Sequence, residues 1–110
     1  MIFKTIGVHG AIENLISKIS GISRAFIYGS FAKNTERADS DIDLCLIIRK
    51  NEFKENFFLE GIRKLERELS REINYTFFPE EEWRSKQRSK DSFVLGLLKN
   101  KRIELIHEKA

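Results

Sequence analysis

Gly29-Ser30-Phe31-Ala32-Lys33-Asn34-Thr35-Glu36-Arg37-Ala38-Asp39-Ser40-Asp41-Ile42-Asp43-Leu44 follows the strand-like run Ala25-Phe26-Ile27-Tyr28. It sets a tight Gly-Ser turn ten residues ahead of two aspartates at i and i+2. The N–H groups and hydroxyl of a Gly-Ser turn at a helix start can hold phosphate oxygens, because a helix N-terminus leaves donors unpaired and carries partial positive charge. Asp41 and Asp43 offer the hard oxygen ligands that Mg²⁺ prefers. On a strand their side chains share one face, with Cα atoms about 7 Å apart at roughly 3.3 Å per residue, so the carboxylates can converge on one or two divalent ions. Ser-Asp pairs often only cap turns, and strand-to-helix turns often need Gly, so neither half says much alone. The ordered set of strand, Gly-Ser, ten residues, Asp-Ile-Asp-Leu and strand is far more specific.

Working outward, Ile12, Leu15, Ile16 and Ile19 recur at helical spacing and Gly21 falls where a helix-terminating glycine belongs, which predicts a helix over 9–20. A strand over 25–28 precedes the turn, and a short helix or loop fills 33–40. From 42 to 48 the pattern is a strand with Ile42, Leu44, Leu46 and Ile48 on one face and Asp41, Asp43, Cys45 and Ile47 on the other. One face is expected to pack while the other carries the carboxylates at its leading end. Phe53, Phe57, Phe58, Ile62, Leu65 and Leu69 mark an amphipathic helix over 53–70 that tolerates Gly61. Residues 72–78 alternate, with Ile73, Tyr75 and Phe77 inward and Glu72, Asn74 and Thr76 outward, as a third strand whose polar face can lie beside that of the Asp41 strand. Pro79 suits the first position of a helix whose dipole is complemented by Glu80, Glu81 and Glu82. Phe93, Leu95, Leu97 and Leu98 predict a short helix, and 102–106 a closing edge strand.

With 110 residues the chain reads as one domain over 1–110, with no room for a separate acceptor-binding domain. At 41% hydrophobic and 34% charged it has the composition of a soluble protein. No apolar run approaches the roughly 20 residues that span a bilayer, and the N-terminus lacks a secretory pattern, so a cytoplasmic protein is expected. Cys45, the sole cysteine, reads as a small buried hydrophobe, and two histidines are too few for a zinc site. The net charge of +3 is compatible with anionic partners without pointing to them, since Lys and Arg alternate with Glu along most of the chain. Trp83 to Lys90 reads as a basic helix end with a solvated face, and Tyr28 as packed core.

Gly29-Ser30-Phe31-Ala32-Lys33 with Ser40-Asp41-Ile42-Asp43-Leu44 resembles the signature of the minimal nucleotidyltransferases of the DNA polymerase β superfamily, the group that includes kanamycin nucleotidyltransferase and the antitoxin partners of HEPN toxins. The similarity extends over most of the chain, including Arg71 to Thr76 and the Pro79-Glu80-Glu81 helix start. This latter portion is similar to nucleotidyltransferase domains that in other chains follow a winged-helix DNA-binding domain. The resemblance implies an α/β (α+β) fold with a mixed β-sheet backed by helices, and Mg²⁺-dependent transfer of a nucleotidyl group from a nucleoside triphosphate with release of pyrophosphate. It gives Gly29 and Ser30 the triphosphate tail and Asp41 and Asp43 the metals; Lys33 and Arg37 lie where they can neutralise the outer phosphates.

The chain departs from the family pattern at two positions. Asn34 stands where a glycine is expected, and Asn still reaches left-handed backbone at modest cost. Asn74 aligns with the family's third carboxylate, and an amide offers only a neutral oxygen and cannot act as a carboxylate base. Glu72, two residues earlier on the same outward face, is the candidate substitute. The resulting expectation is transfer of a nucleotidyl group, AMP from ATP first among them, to a hydroxyl on a partner protein or other acceptor. A HEPN-type toxin chain is the first partner to test. Two other readings stand beside it: a nucleotide-binding or partner-masking module in which Asn74 has weakened catalysis, and a nucleic-acid-associated regulator. An edge strand and a small core are compatible with a homodimer.

Overall fold

The structure is a computed structural model that describes residues 3–29 and 41–106. The expected element over 33–40 lies outside them. In chain order the elements are α1 (Phe3–Ser17), β1 (Ile22–Tyr28), β2 (Ile42–Ile48), α2 (Glu55–Leu69), β3 (Ile73–Pro79), α3 (Glu80–Arg88), α4 (Ser92–Lys99) and β4 (Ile103–Ile106). The strands form a four-stranded mixed sheet in the order β3-β2-β1-β4, with β2 and β3 parallel and the other pairs antiparallel. A parallel pair needs a crossover, and α2 supplies it between β2 and β3.

The amphipathic pattern of 53–70 becomes α2, which buries Phe58, Ile62 and Leu65 and ends at Ser70 in left-handed backbone (φ 53°). Its inner face and that of α1 close over Ile42, Leu44, Leu46, Ile48, Ala25 and Ile27, forming the larger core. Gly61 sits at the α1–α2 contact, where an added Cβ would come 2.5 Å from Leu15 Cδ1. The interior glycine therefore permits close helix approach.

Several boundaries differ from the sequence reading. α1 begins at Phe3 and ends at Ser17, with a break at Gly7 (φ 71°, ψ −178°) that periodicity does not reveal. β1 starts at Ile22 because Ser23, buried as the extra residue of a bulge, donates its hydroxyl to the Ile47 carbonyl at 3.1 Å. Pro79 ends β3 and caps α3 from outside the helix instead of occupying its first position.

The expectation that only one face of β2 packs is corrected. Cys45 and Ile47 join Phe26, Phe78, Trp83, Val94 and Leu97 in a second core beneath α3 and α4. Trp83, read as part of a basic helix end, is its buried anchor, while Lys86 and Arg88 complement the C-terminal dipole of α3. Tyr75 does turn toward the α2 side, 5.3 Å from Phe58 between ring centres, yet stays 40% exposed because β3 is an edge strand.

Candidate functional site

Strand register brings the sequence candidates to one end of the sheet. Asp43 lies between Tyr28 on β1 and Asn74 on β3, the two residues paired with it. Asp41 immediately precedes β2 and is exposed, whereas Asp43 is half-buried. The Asn74 amide nitrogen donates to Asp43 Oδ1 at 3.3 Å and to Asp41 Oδ2 at 3.4 Å. Both carboxylates thus reach one point, as their i, i+2 spacing requires.

Gly29 closes the opposite wall. Its backbone is left-handed (φ 77°), and a Cβ built on it would stand 2.5 Å from Asp43 Oδ2. The glycine thus turns the chain after β1 and leaves space for the Asp43 carboxylate on the side away from Asn74. Ser30, Lys33 and Arg37 lie outside the described residues.

Parallel pairing, with Ile42 beside Ile73 and Asp43 beside Asn74, puts Asn74 rather than Glu72 across from Asp43. Glu72 precedes β3 at the level of Asp41; its carbonyl accepts the Ile42 N–H at 2.9 Å and its side chain is exposed. The start of β3 is anchored from α2, since the Ile73 N–H donates to Glu66 Oε2 at 2.7 Å. That contact fixes the level at which Asn74 meets the aspartates.

Two neighbours join the site: Tyr28, read from the sequence as packed core rather than a base-stacking platform, and Thr76, which the sequence reading did not place in it. Tyr28 is half-buried beside Asp43, and its hydroxyl is hydrogen-bonded to Thr76. Burial pushes the Tyr28 hydroxyl above its ordinary pKa, Asp43 and Cys45 reinforce that, and the Thr76 hydrogen bond opposes it. The phenol therefore stays protonated at neutral pH and is no base. The outward alternation of Asn74 and Thr76 is the signal that could have found Thr76.

Two carboxylates and an amide oxygen suit a hard cation such as Mg²⁺, which is commonly held by one or two carboxylates plus phosphates and water. Among the described residues no group of three or more His, Cys, Asp or Glu side chains could hold a metal. Cavity size does not point to this place. A cavity of about 570 Å³ opens at the far end of the same sheet face against Arg24, Trp83, Arg84 and Arg102. A smaller cleft of about 360 Å³ adjoins the site between Tyr28 and Gly29 on one side and Phe93 and Gly96 of α4 with Asn100 just beyond it on the other.

No curated protein matches the chain. A solved structure described as the crystal structure of the toxin-antitoxin with AMP-PNP is similar in fold, with a TM-score of 0.58 at 16% identity over 90% of this chain and 73% of that one. The family model described as Polymerase beta, Nucleotidyltransferase matches residues 11–95, from α1 through the Gly29 turn, both aspartates and Asn74 into α4. That match spans most of the chain and includes every described residue of the site, so the protein belongs to the polymerase β nucleotidyltransferase family.

Proposed function

We propose that this domain binds a magnesium-nucleoside triphosphate, ATP first among them, and transfers its nucleotidyl group to a hydroxyl on a partner protein. The observation that carries the proposal is the convergence of Asp41 and Asp43 on the Asn74 amide, directly beside the left-handed Gly29 turn. Mg²⁺ held by the two aspartates would neutralise the triphosphate and polarise its α-phosphorus. Gly29 and Ser30 would cradle the outer phosphates through backbone N–H groups, with Lys33 and Arg37 adding charge. The cleft between Tyr28 and Phe93 offers an aromatic wall for the base.

In the transfer itself the acceptor oxygen bonds to the α-phosphorus as the bond to the α,β-bridging oxygen breaks. Pyrophosphate leaves with that electron pair. The acceptor proton passes to water, because Asn74 cannot take it and Tyr28 holds its own. The chain's contribution is thus positioning and charge compensation rather than proton abstraction.

A similar fold in a toxin-antitoxin structure with AMP-PNP supports testing an adenine nucleotide and a toxin chain, HEPN-type first, with this domain as antitoxin. Asn74 also favours a second reading, a nucleotide-binding module that masks its partner without modifying it.

Titration calorimetry of ATP with Mg²⁺, without Mg²⁺, and into Asp41→Asn/Asp43→Asn protein tests the site. Binding is expected only with the metal and both aspartates; equal binding in all three conditions overturns the assignment. Labelling of a co-purified partner from α-labelled ATP separates transfer from masking. An unlabelled partner that becomes labelled with Asn74→Asp protein marks a lapsed enzyme.

A further inference from the structure

We propose that the nucleotide-loaded site holds a single divalent ion, where two adjacent ions would require a carboxylate at position 74. The inference rests on the metal-triphosphate reading above and concerns how that site is filled. Two divalent ions about 3.5 to 4 Å apart repel strongly and are held together by anionic ligands that bridge or flank them. An ion on the triphosphate draws its ligands from the phosphates and one or two carboxylates, which is the arrangement Mg²⁺ commonly adopts. An ion on the acceptor side has no phosphate of its own beyond the one being attacked, so it depends on carboxylates from the protein.

At this point the described residues fall short. Position 74 is the only β3 residue in register with Asp43, and its amide meets both aspartates through its nitrogen, at 3.3 and 3.4 Å. The amide donates where a carboxylate would accept. Rotating it would present one neutral oxygen, which adds a ligand without adding charge. Glu72 is not in register with Asp43, and its carboxylate is not among the groups that the Asn74 amide meets. Among the described residues Asp41 and Asp43 are the only carboxylates that meet at the Asn74 amide. They match the requirement of one triphosphate-bound ion.

A consequence separates this from general weakness of the site. Affinity for the first ion and the nucleotide should persist in the wild type, since both aspartates are intact, while the number of ions per nucleotide stays at one. Asn74→Asp changes no side-chain shape and supplies the missing charge. It should double that number.

The experiment is equilibrium dialysis of the full chain against manganese and the non-hydrolysable analogue α,β-methylene ATP, counting manganese and nucleotide in excess on the protein side. Electron paramagnetic resonance of the same samples detects coupling between neighbouring manganese ions. We expect a manganese-to-nucleotide ratio near one without coupling in the wild type and in Glu72→Gln, and a ratio near two with coupling in Asn74→Asp. A coupled ratio of two in the wild type overturns the inference and leaves the metal-triphosphate reading intact. A ratio of one in both wild type and Asn74→Asp overturns the role given to position 74. No retention of ion or nucleotide by the wild type overturns the reading itself, and the inference with it.

Discussion

Gly29 answers to two constraints at once. Its φ of 77° favours glycine, and its missing Cβ is the space in which Asp43 places Oδ2. Gly29→Ala should lower stability by about 1–2 kcal/mol through the left-handed backbone alone. It should also weaken magnesium-ATP binding by roughly tenfold or more, about 1.4 kcal/mol, by displacing the carboxylate. Urea unfolding and calorimetry on the same protein separate the two effects, and unchanged affinity would show that Asp43 does not need its present position. Cys45 makes a contrasting case. Burial pushes its thiol up to about 12, with the nearby Arg24 opposing that and Glu104 adding to it. The native thiol should resist a disulfide reagent at pH 8 and react once the chain is unfolded. Because the unfolded thiol ionises at lower pH, this residue's contribution to stability is full below the unfolded value and falls as pH rises beyond it. The turn glycine, the aspartate pair and the buried cysteine were all legible in the sequence. The approach of Gly29 to Asp43 was not, since it depends on strands meeting side by side, and spacing within one segment carries no record of that.

The elements that carry the site are held by polar contacts at their ends. Asp91 caps α4 by accepting the Val94 N–H at 3.2 Å. Asp91→Ala should cost about 1 kcal/mol, read from the shift in unfolding midpoint at constant denaturant slope. Across the sheet, Glu104 on β4 accepts from Arg24 of β1 at 2.8 Å and from Arg102 at 2.9 Å, and Arg102 also donates to the Leu98 carbonyl at the end of α4. Burial alone would raise the Glu104 pKa, yet the hydrogen bonds and charges of Arg24 and Arg102 hold it below the ordinary carboxylate value. Its stabilising contribution is therefore present above the unfolded carboxylate pKa and is lost as pH falls through the lowered one. Thermal melts should show a smaller acid-induced loss in Glu104→Gln than in the wild type over that range. Existence and order of these elements followed from periodicity and from Pro79, whereas the bulge at Ser23 and the cap at Asp91 depend on single hydrogen bonds with no periodic signature.

At the scale of the molecule, one sheet separates two unequal cores. The larger lies under the long helices α1 and α2, the smaller under α3 and α4. The continuous run of apolar residues in β2 was the sequence evidence for burial on both faces, but the carboxylates at its start drew the reading toward an open one. Trp83 closes the smaller core, 5.4 Å from Phe78 and 6.1 Å from Phe26 between ring centres. Trp83→Ala should destabilise the domain by about 3–5 kcal/mol in equilibrium unfolding. A loss below 1 kcal/mol would mean that α3 contributes little to folding. The parallel pairing of β2 and β3 also has a consequence in the genetic code. It puts an exposed strand position, 74, within hydrogen-bond reach of Asp43, and the codons for asparagine and aspartate differ by a single base. A lineage carrying this fold can therefore gain or lose a third carboxylate in one mutational step, with no core to repack and no strand to shift.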